Sequence, residues 1–343
     1  MTRSGITCRV IWAVAALCVC VVVFAIIAYR PAIATVTRPN PRLFDPALVA
    51  QGANVARLGN CASCHQSAGG RPYAGGYPVK TPFGTIYGSN ITPDPATGIG
   101  AWSPAAFRRA MREGVGRDGS HLYPAFPYTH YANVTDGDLS ALYAFLMTRP
   151  AVRSVPPANT MIPPLGFRPL LAGWKLLFFQ GEPITTDPHQ SVAWNRGRYI
   201  GETLAHCTAC HSPRGLLQQE KHGAQAYDGG WSGGWYAPPI TAHSPAVRAW
   251  TVERLEVYFR TGLSTAHAAA AGPMGSVTYI WPGQRPPTSA RSPPIMRGRC
   301  AMRLPHGSSG RCPIVAPSRR SVIRTARGST KGPARYATSR ARR

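Results

Sequence analysis

Cys61-Ala62-Ser63-Cys64-His65 and Cys207-Thr208-Ala209-Cys210-His211 are two copies of one pattern, Cys-x-x-Cys-His. The spacing is that of a c-type haem attachment site. Each thiol pair can form thioether bonds to one haem, and the adjacent histidine then stands where it can ligate the iron from the proximal side. The competing readings are weaker. Two zinc knuckles are spaced by roughly 12 to 20 residues, whereas 142 residues separate Cys64 from Cys207. Zinc also gives no reason for a histidine directly after both pairs. A thiol-redox motif needs one pair in a βαβ context, and no such context is visible.

With 343 residues, the chain has room for two or three small domains. Four of its nine cysteines belong to the two motifs. Cys8, Cys18 and Cys20 lie in or beside an N-terminal apolar run, Cys300 and Cys312 lie in a basic tail, and none outlines a disulfide framework. Val10 to Tyr29 carries no charge and is long enough to cross a bilayer. Its length favours an uncleaved anchor over a secretory signal, although Ala32-Ile33-Ala34 resembles a cleavage site. Haems of this kind are attached outside the bacterial cytoplasm, so the rest of the chain is expected on the periplasmic side of the inner membrane.

The two motifs head an internal duplication. Trp102 follows His65 by 37 residues and Trp250 follows His211 by 39; Gly114 and Gly262 follow by 49 and 51. Each tryptophan introduces a helical pattern. Ser103-Pro104 starts the first as N-cap and N1, and Gly114 closes it. Thr251 and Gly262 do the same for the second. Helices are also expected ahead of the motifs, over 46–59 and 194–205. A last helix in the first copy is capped by Thr135-Asp136-Gly137-Asp138 and carries Leu139, Leu142, Tyr143 and Leu146 at helical spacing. The fold class expected is mostly α: tandem class-I-like cytochrome c domains after an N-terminal transmembrane or signal helix. The expected boundaries are 1–34 for the signal or anchor, 43–150 and 190–282 for the domains, 151–189 for a linker rich in proline and apolar residues, and 283–343 for the tail.

A methionine often completes the iron coordination from a loop after the second helix. Met274, in Gly272-Pro273-Met274-Gly275, lies 63 residues after His211 and is the expected distal ligand of the second haem. The matching position in the first copy is Phe126, which cannot ligate iron. Met111 and Met147 fall on helical patterns, which leaves His121 and His130 in the loop. The sixth ligand of the first haem stays open, with His130 as the guess.

From Gln284 to Arg343 there are fifteen Lys or Arg and no acid, and the last acidic residue is Glu256. Pattern is lost where the second copy should have its last helix. At face value this is a disordered basic segment; a shifted reading frame beginning near Ile280 would produce the same composition. Nucleic-acid binding does not suit a periplasmic haem protein.

The chain resembles the membrane-associated cytochrome c subunits of bacterial periplasmic dehydrogenases that oxidise alcohols, gluconate or aldehydes, and related subunits serving molybdenum hydroxylases. The resemblance spans roughly Leu43 to Tyr279. It is carried by Thr81-Pro82-Phe83-Gly84-Thr85, Ser89-Asn90-Ile91-Thr92-Pro93-Asp94, Thr97-Gly98-Ile99-Gly100 with Trp102, Asp118-Gly119 to Tyr128, Leu170-Leu171-Ala172-Gly173-Trp174-Lys175 and Gly272-Pro273-Met274. It implies two covalent haems c on Cys61, Cys64, Cys207 and Cys210, with proximal ligands His65 and His211. The partner implied is a quinoprotein, flavoprotein or molybdenum hydroxylase, with electrons leaving to ubiquinone or a terminal oxidase. The rival readings are a dihaem peroxidase, with Phe126 leaving one iron open, and a frame-shifted product without function. Members commonly carry three haem motifs, and this chain has no third beyond Tyr279. The intact mass of the haem-stained membrane protein checks this: two haems with the full tail would support a dihaem cytochrome with a real tail, and a heavier three-haem species would show that the true reading frame differs beyond Ile280.

Overall fold

A helix begins where a side chain takes over the first orphan N–H groups, and the same device recurs along this chain. The computed structural model describes residues 3–179, 181, 184–265 and 269–278, all within the compact unit Met1–Thr288. α1, Arg3–Ala28, is the apolar helix, and its span Arg9–Ala28 is long and apolar enough to cross a membrane. α2, Pro46–Leu58, starts at Asp45, whose carboxylate accepts the Ala47 N–H at 2.9 Å, with Pro46 as its first residue. α3, Cys61–Cys64, is the single turn of the first motif. A hairpin follows: β1, Pro78–Thr81, and β2, Gly84–Tyr87, pair antiparallel with Val79 opposite Ile86.

α4, Pro104–Glu113, is capped by the Ser103 hydroxyl at 3.2 Å and ends at Gly114 with φ +61°. The ring of Tyr128 fills the space a Cβ on Gly114 would need, so both conformation and packing demand glycine. α5 is the turn Tyr128–Tyr131, and α6 is Asp136–Met147. The Thr135 hydroxyl accepts from the Asp138 N–H at 3.2 Å, and Asp136 and Asp138 place negative charge on the first turn. Leu139, Leu142, Tyr143 and Leu146 are buried as their spacing predicts. α6 crosses α2 at Gly52, where a Cβ would collide with the Ala141 carbonyl and stand 2.7 Å from Phe145 Cβ. That crossing brings the backbones together over a core of Val55, Phe107, Met111, Leu142 and Leu146.

The chain between α1 and α2 is laced to this first repeat. The Ile33 N–H donates to the Arg117 carbonyl at 2.8 Å and the Val36 N–H to Ala101 at 3.1 Å. Arg109 donates to the Pro31 carbonyl at 2.7 Å, and Arg38 to Met147 at 3.0 Å.

The segment joining the repeats adds β3, Thr160–Met161, to the hairpin through Gly84 and Thr85. It then forms α7, Leu170–Phe178, beside α1. The second repeat opens with α8, Val192–Tyr199, capped by Ser191, and continues as a π-helical turn, Ile200–Leu204. The expected helix over 194–205 therefore starts two residues earlier, and its last turn widens to i→i+5 bonds. Leu204 from that turn is 1 % exposed and packs with Val55, Met111 and Val134 in the core of the first repeat.

α9, Thr208–His211, is the second motif's turn; β4, Gly230–Ser232, and β5, Trp235–Ala237, form its hairpin. α10, Val252–Thr261, is capped by Thr251 and closed by Gly262 at φ +71°, the same start and stop as α4. It buries none of its residues, whereas α4, beneath α6, buries Ala106, Phe107, Ala110 and Met111. α11, Pro273–Thr278, carries Met274. The basic tail and any last helix of the second repeat lie outside the described residues.

Gly52→Ala is expected to cost at least about 1–3 kcal/mol through overpacking at the α2–α6 crossing. Gly137 in the first turn of α6 meets nothing within 4 Å, so Gly137→Ala should gain up to about 0.5–1 kcal/mol. Thermal unfolding of the two variants followed by circular dichroism should move in opposite directions.

Candidate metal centres

The residue before each first cysteine is left-handed, Asn60 at φ +49° and His206 at φ +40°. It swings the chain out of the preceding helix into a tight turn that sets both thiols on one side. Past the turn, the His65 carbonyl accepts from the Gly75 N–H at 2.8 Å and the His211 carbonyl from Gly229 at 2.8 Å. Both glycines have positive φ, +80° and +83°.

The imidazoles are held in one way in both repeats. His65 Nδ1 lies 2.7 Å from the Ser89 carbonyl and His211 Nδ1 lies 2.8 Å from the Pro238 carbonyl, each just past the second hairpin strand. A carbonyl only accepts, so Nδ1 carries the proton and Nε2 keeps its lone pair for a metal. Burial holds His65 below its ordinary pKa, in the neutral form that ligates.

All four motif cysteines are free. Burial pushes Cys61 up to about 12, with the neighbouring Cys64 adding to it, and pushes Cys207 up to about 11. Cys64 is raised as well, by burial first and in part by Cys210 across from it. Among the described residues, no cluster of three or more His, Cys, Asp or Glu could hold a bare metal ion. Two thiols and one oriented nitrogen per turn form an incomplete set for such an ion. They fit haem c, whose iron brings four ring nitrogens: the thiols could bond the edge of the ring and the histidine nitrogen could ligate the iron, with the sixth position left to a distal group. The side chains beside Cys61 are apolar, with Val55, Met111, Val134 and Leu142 packed in the core of the first repeat.

The expected distal ligands fare differently. Met274 sits half-buried in α11, two residues before Ser276, whose hydroxyl accepts from Asn60 Nδ2 at 2.9 Å. Phe126 packs on Tyr131 at 5.5 Å between ring centroids. His130 is engaged at both nitrogens: Nδ1 donates to the Glu202 carbonyl at 2.8 Å and Nε2 to the Glu220 carboxylate at 3.0 Å. His121 is engaged at both nitrogens too, with Ala28 and Lys175. Met111 and Met147 are core residues, as their helical positions predict.

Sequence reasoning missed the cluster that links the repeats. Glu220 bonds to His130 of the first repeat, to the Thr208 hydroxyl inside the second motif, and lies 3.7 Å from Arg214. His206 is half-buried, its ring 5.8 Å from Tyr131 and 6.0 Å from His130, and it is held down to about 4, first by desolvation and then by the charge of His130. Tyr199 donates to Asp138 at 2.8 Å beside it. No short-range pattern marks the links between the repeats, because Tyr199 and Asp138 lie 61 positions apart and His130 and Glu220 lie 90 apart.

A helical protein with two such turns defines the class of covalent haem proteins, and comparison with known proteins agrees. The cytochrome c family model matches residues 49–150. The chain is 51% identical over 249 residues to a subunit of the nicotinate dehydrogenase of Pseudomonas putida, covering 73% of this chain and 21% of that protein. It is 39% identical over 242 residues to the fructose dehydrogenase cytochrome subunit of Gluconobacter japonicus, covering 69% and 49%. It is 36% identical over 252 residues to a diheme cytochrome c-type protein of Cereibacter sphaeroides, covering 70% of this chain and 84% of that one. The chain belongs to the c-type cytochromes. It spans between a fifth and about half of the length of the first two relatives.

The buried pair gives a pH signature. Burial would lift Glu220, but its bond to His130, that histidine's charge and Arg214 outweigh burial and hold it at about 2. Burial would lower His130, but Glu220 outweighs it and the net shift is upward. The Glu220 contribution is complete above its ordinary 4.5 and is lost as pH falls through about 2. The His130 contribution is complete below its ordinary 6.5 and is lost as pH rises through its elevated folded value. Stability from the pair should therefore peak between about 4.5 and 6.5. Glu220→Gln is expected to flatten that maximum in melting temperatures measured against pH, at a cost of about 3 kcal/mol.

Proposed function

We propose that this chain is a dihaem electron-transfer cytochrome, with one haem c on Cys61 and Cys64 and a second on Cys207 and Cys210. The single observation that carries the proposal is the repeated geometry: two attachment turns, each with its histidine ring fixed through Nδ1 by a backbone carbonyl just past a hairpin. On this reading the repeats are tandem cytochrome domains, 43–150 and 190–282. His65 and His211 are the proximal ligands and Met274 the distal ligand of the second site.

Bound haem iron supplies a one-electron couple. The chain's own residues do the rest. Ser89 and Pro238 orient the imidazoles that would hold the iron. The buried inter-repeat contacts of Leu204, His130 and Glu220 hold the turns in one mutual position. No residue has to act as acid, base or nucleophile.

Relatives named as subunits of nicotinate and fructose dehydrogenases support a dehydrogenase as the electron donor. The acceptor proposed is ubiquinone or a terminal oxidase, and the site the periplasmic face of the inner membrane, with α1 as anchor. An equilibrium redox titration of the purified protein should resolve two one-electron steps. His65→Ala and His211→Ala should each shift one step and leave the other in place, with both haems still covalently bound. A single step in the parent protein would overturn the dihaem reading, and rapid turnover of hydrogen peroxide would favour the peroxidase alternative.

A further inference from the structure

α7 has an apolar face that the haem chemistry does not use, and its position says what covers it. The backbone at Gly173 lies against Phe24 of α1, whose ring would stand 3.7 Å from a Cβ there. Phe24 is inside the span Arg9–Ala28, four residues from its end, or about 6 Å along the helix axis. Whatever packs on Phe24 while α1 crosses a bilayer sits at that depth, which is where helices lying in the membrane interface bury their apolar side, ~5–10 Å.

The surface of α7 matches that position. Leu176 and Leu177 are 66% and 68% exposed, and Phe167 just ahead of the helix is 61% exposed. The one charged residue of α7, Lys175, turns inward and donates to the carbonyls of Glu113 and Gly114. The outward face of α7 thus carries no charge in a chain with net charge +25. Arg30, at the end of α1, stands at the boundary and donates to the Ile27 and Tyr29 carbonyls, placed as a cation that meets headgroups would be.

We propose that α7 is a second membrane contact, its Leu176–Leu177 face lying in the acyl–headgroup boundary of the bilayer that α1 crosses. The proposal rests on α1 remaining as an anchor. The occupant is lipid rather than protein because α7 packs directly on the transmembrane helix and shares its depth.

The test is photolabelling of the full holoprotein in phosphatidylethanolamine–phosphatidylglycerol vesicles that contain a diazirine-bearing acyl chain, with adducts mapped by peptide mass spectrometry. Adducts are expected in α1 and in the peptide spanning 167–179. The double variant Leu176→Glu, Leu177→Glu should lose those in α7 while keeping α1 labelling, covalent haem and the visible spectrum. Adducts confined to α1 would overturn the proposal and leave the anchor intact. Labelling in neither segment, with the protein in the soluble fraction, would remove the anchor and the proposal together. Labelling in α7 that a bound dehydrogenase abolishes would also overturn it, since the face would then belong to protein.

Discussion

In each repeat, an imidazole directly after the second cysteine gives its Nδ1 proton to a backbone carbonyl some 25 residues further on. A histidine in a four-residue turn has few neighbours of its own to lean on. The carbonyl supplies the missing restraint, and it is available only because a two-stranded hairpin returns the chain to the right spot. Take away the hairpin, or the positive-φ glycine that starts its approach, and the ring would lose both its tautomer and its aim. The turns, glycines and hairpins of the two repeats are thus one device built twice.

What differs between the repeats is how that device is supported. The first stands on α2 and α6, whose backbones meet at Gly52 and whose crossing closes a core. The second borrows from the first. Its entering helix opens into a π turn, and Leu204 from that turn completes the first repeat's core. Glu220 then reaches back to His130. The described part of the second repeat therefore gains order from its neighbour as well as from its own packing.

Local chemistry is legible in the sequence. Ser103, Thr135 and Thr251 cap the helices that their positions predict, and Gly114 and Gly262 end theirs in the left-handed region. The haem turns need only their spacing. Legibility ends where the determinant is a long-range partner. His130 looks like a loop histidine with a nitrogen to spare, because Glu220 lies 90 residues on. The π turn reads as ordinary helix, because its widening places Leu204 in a core that the sequence does not show as adjacent. His206 has no signal beyond preceding a cysteine. Met274, expected in a loop from its spacing, lies instead in the short helix α11.

The lacing of residues 31–38 to the first repeat has a mechanical consequence. A cytochrome on a slack tether can swing and search a volume above its membrane for partners. Here the last turn of α1 is pinned by His121, and the segment after it is held through Arg117, Ala101 and Met147, so almost no slack is left between helix and globule. With α1 in a bilayer, the first attachment turn would ride at one height and one tilt, as on a rigid mount. Its search for partners would then be lateral, in two dimensions, and a donor would have to present its electron at that same height.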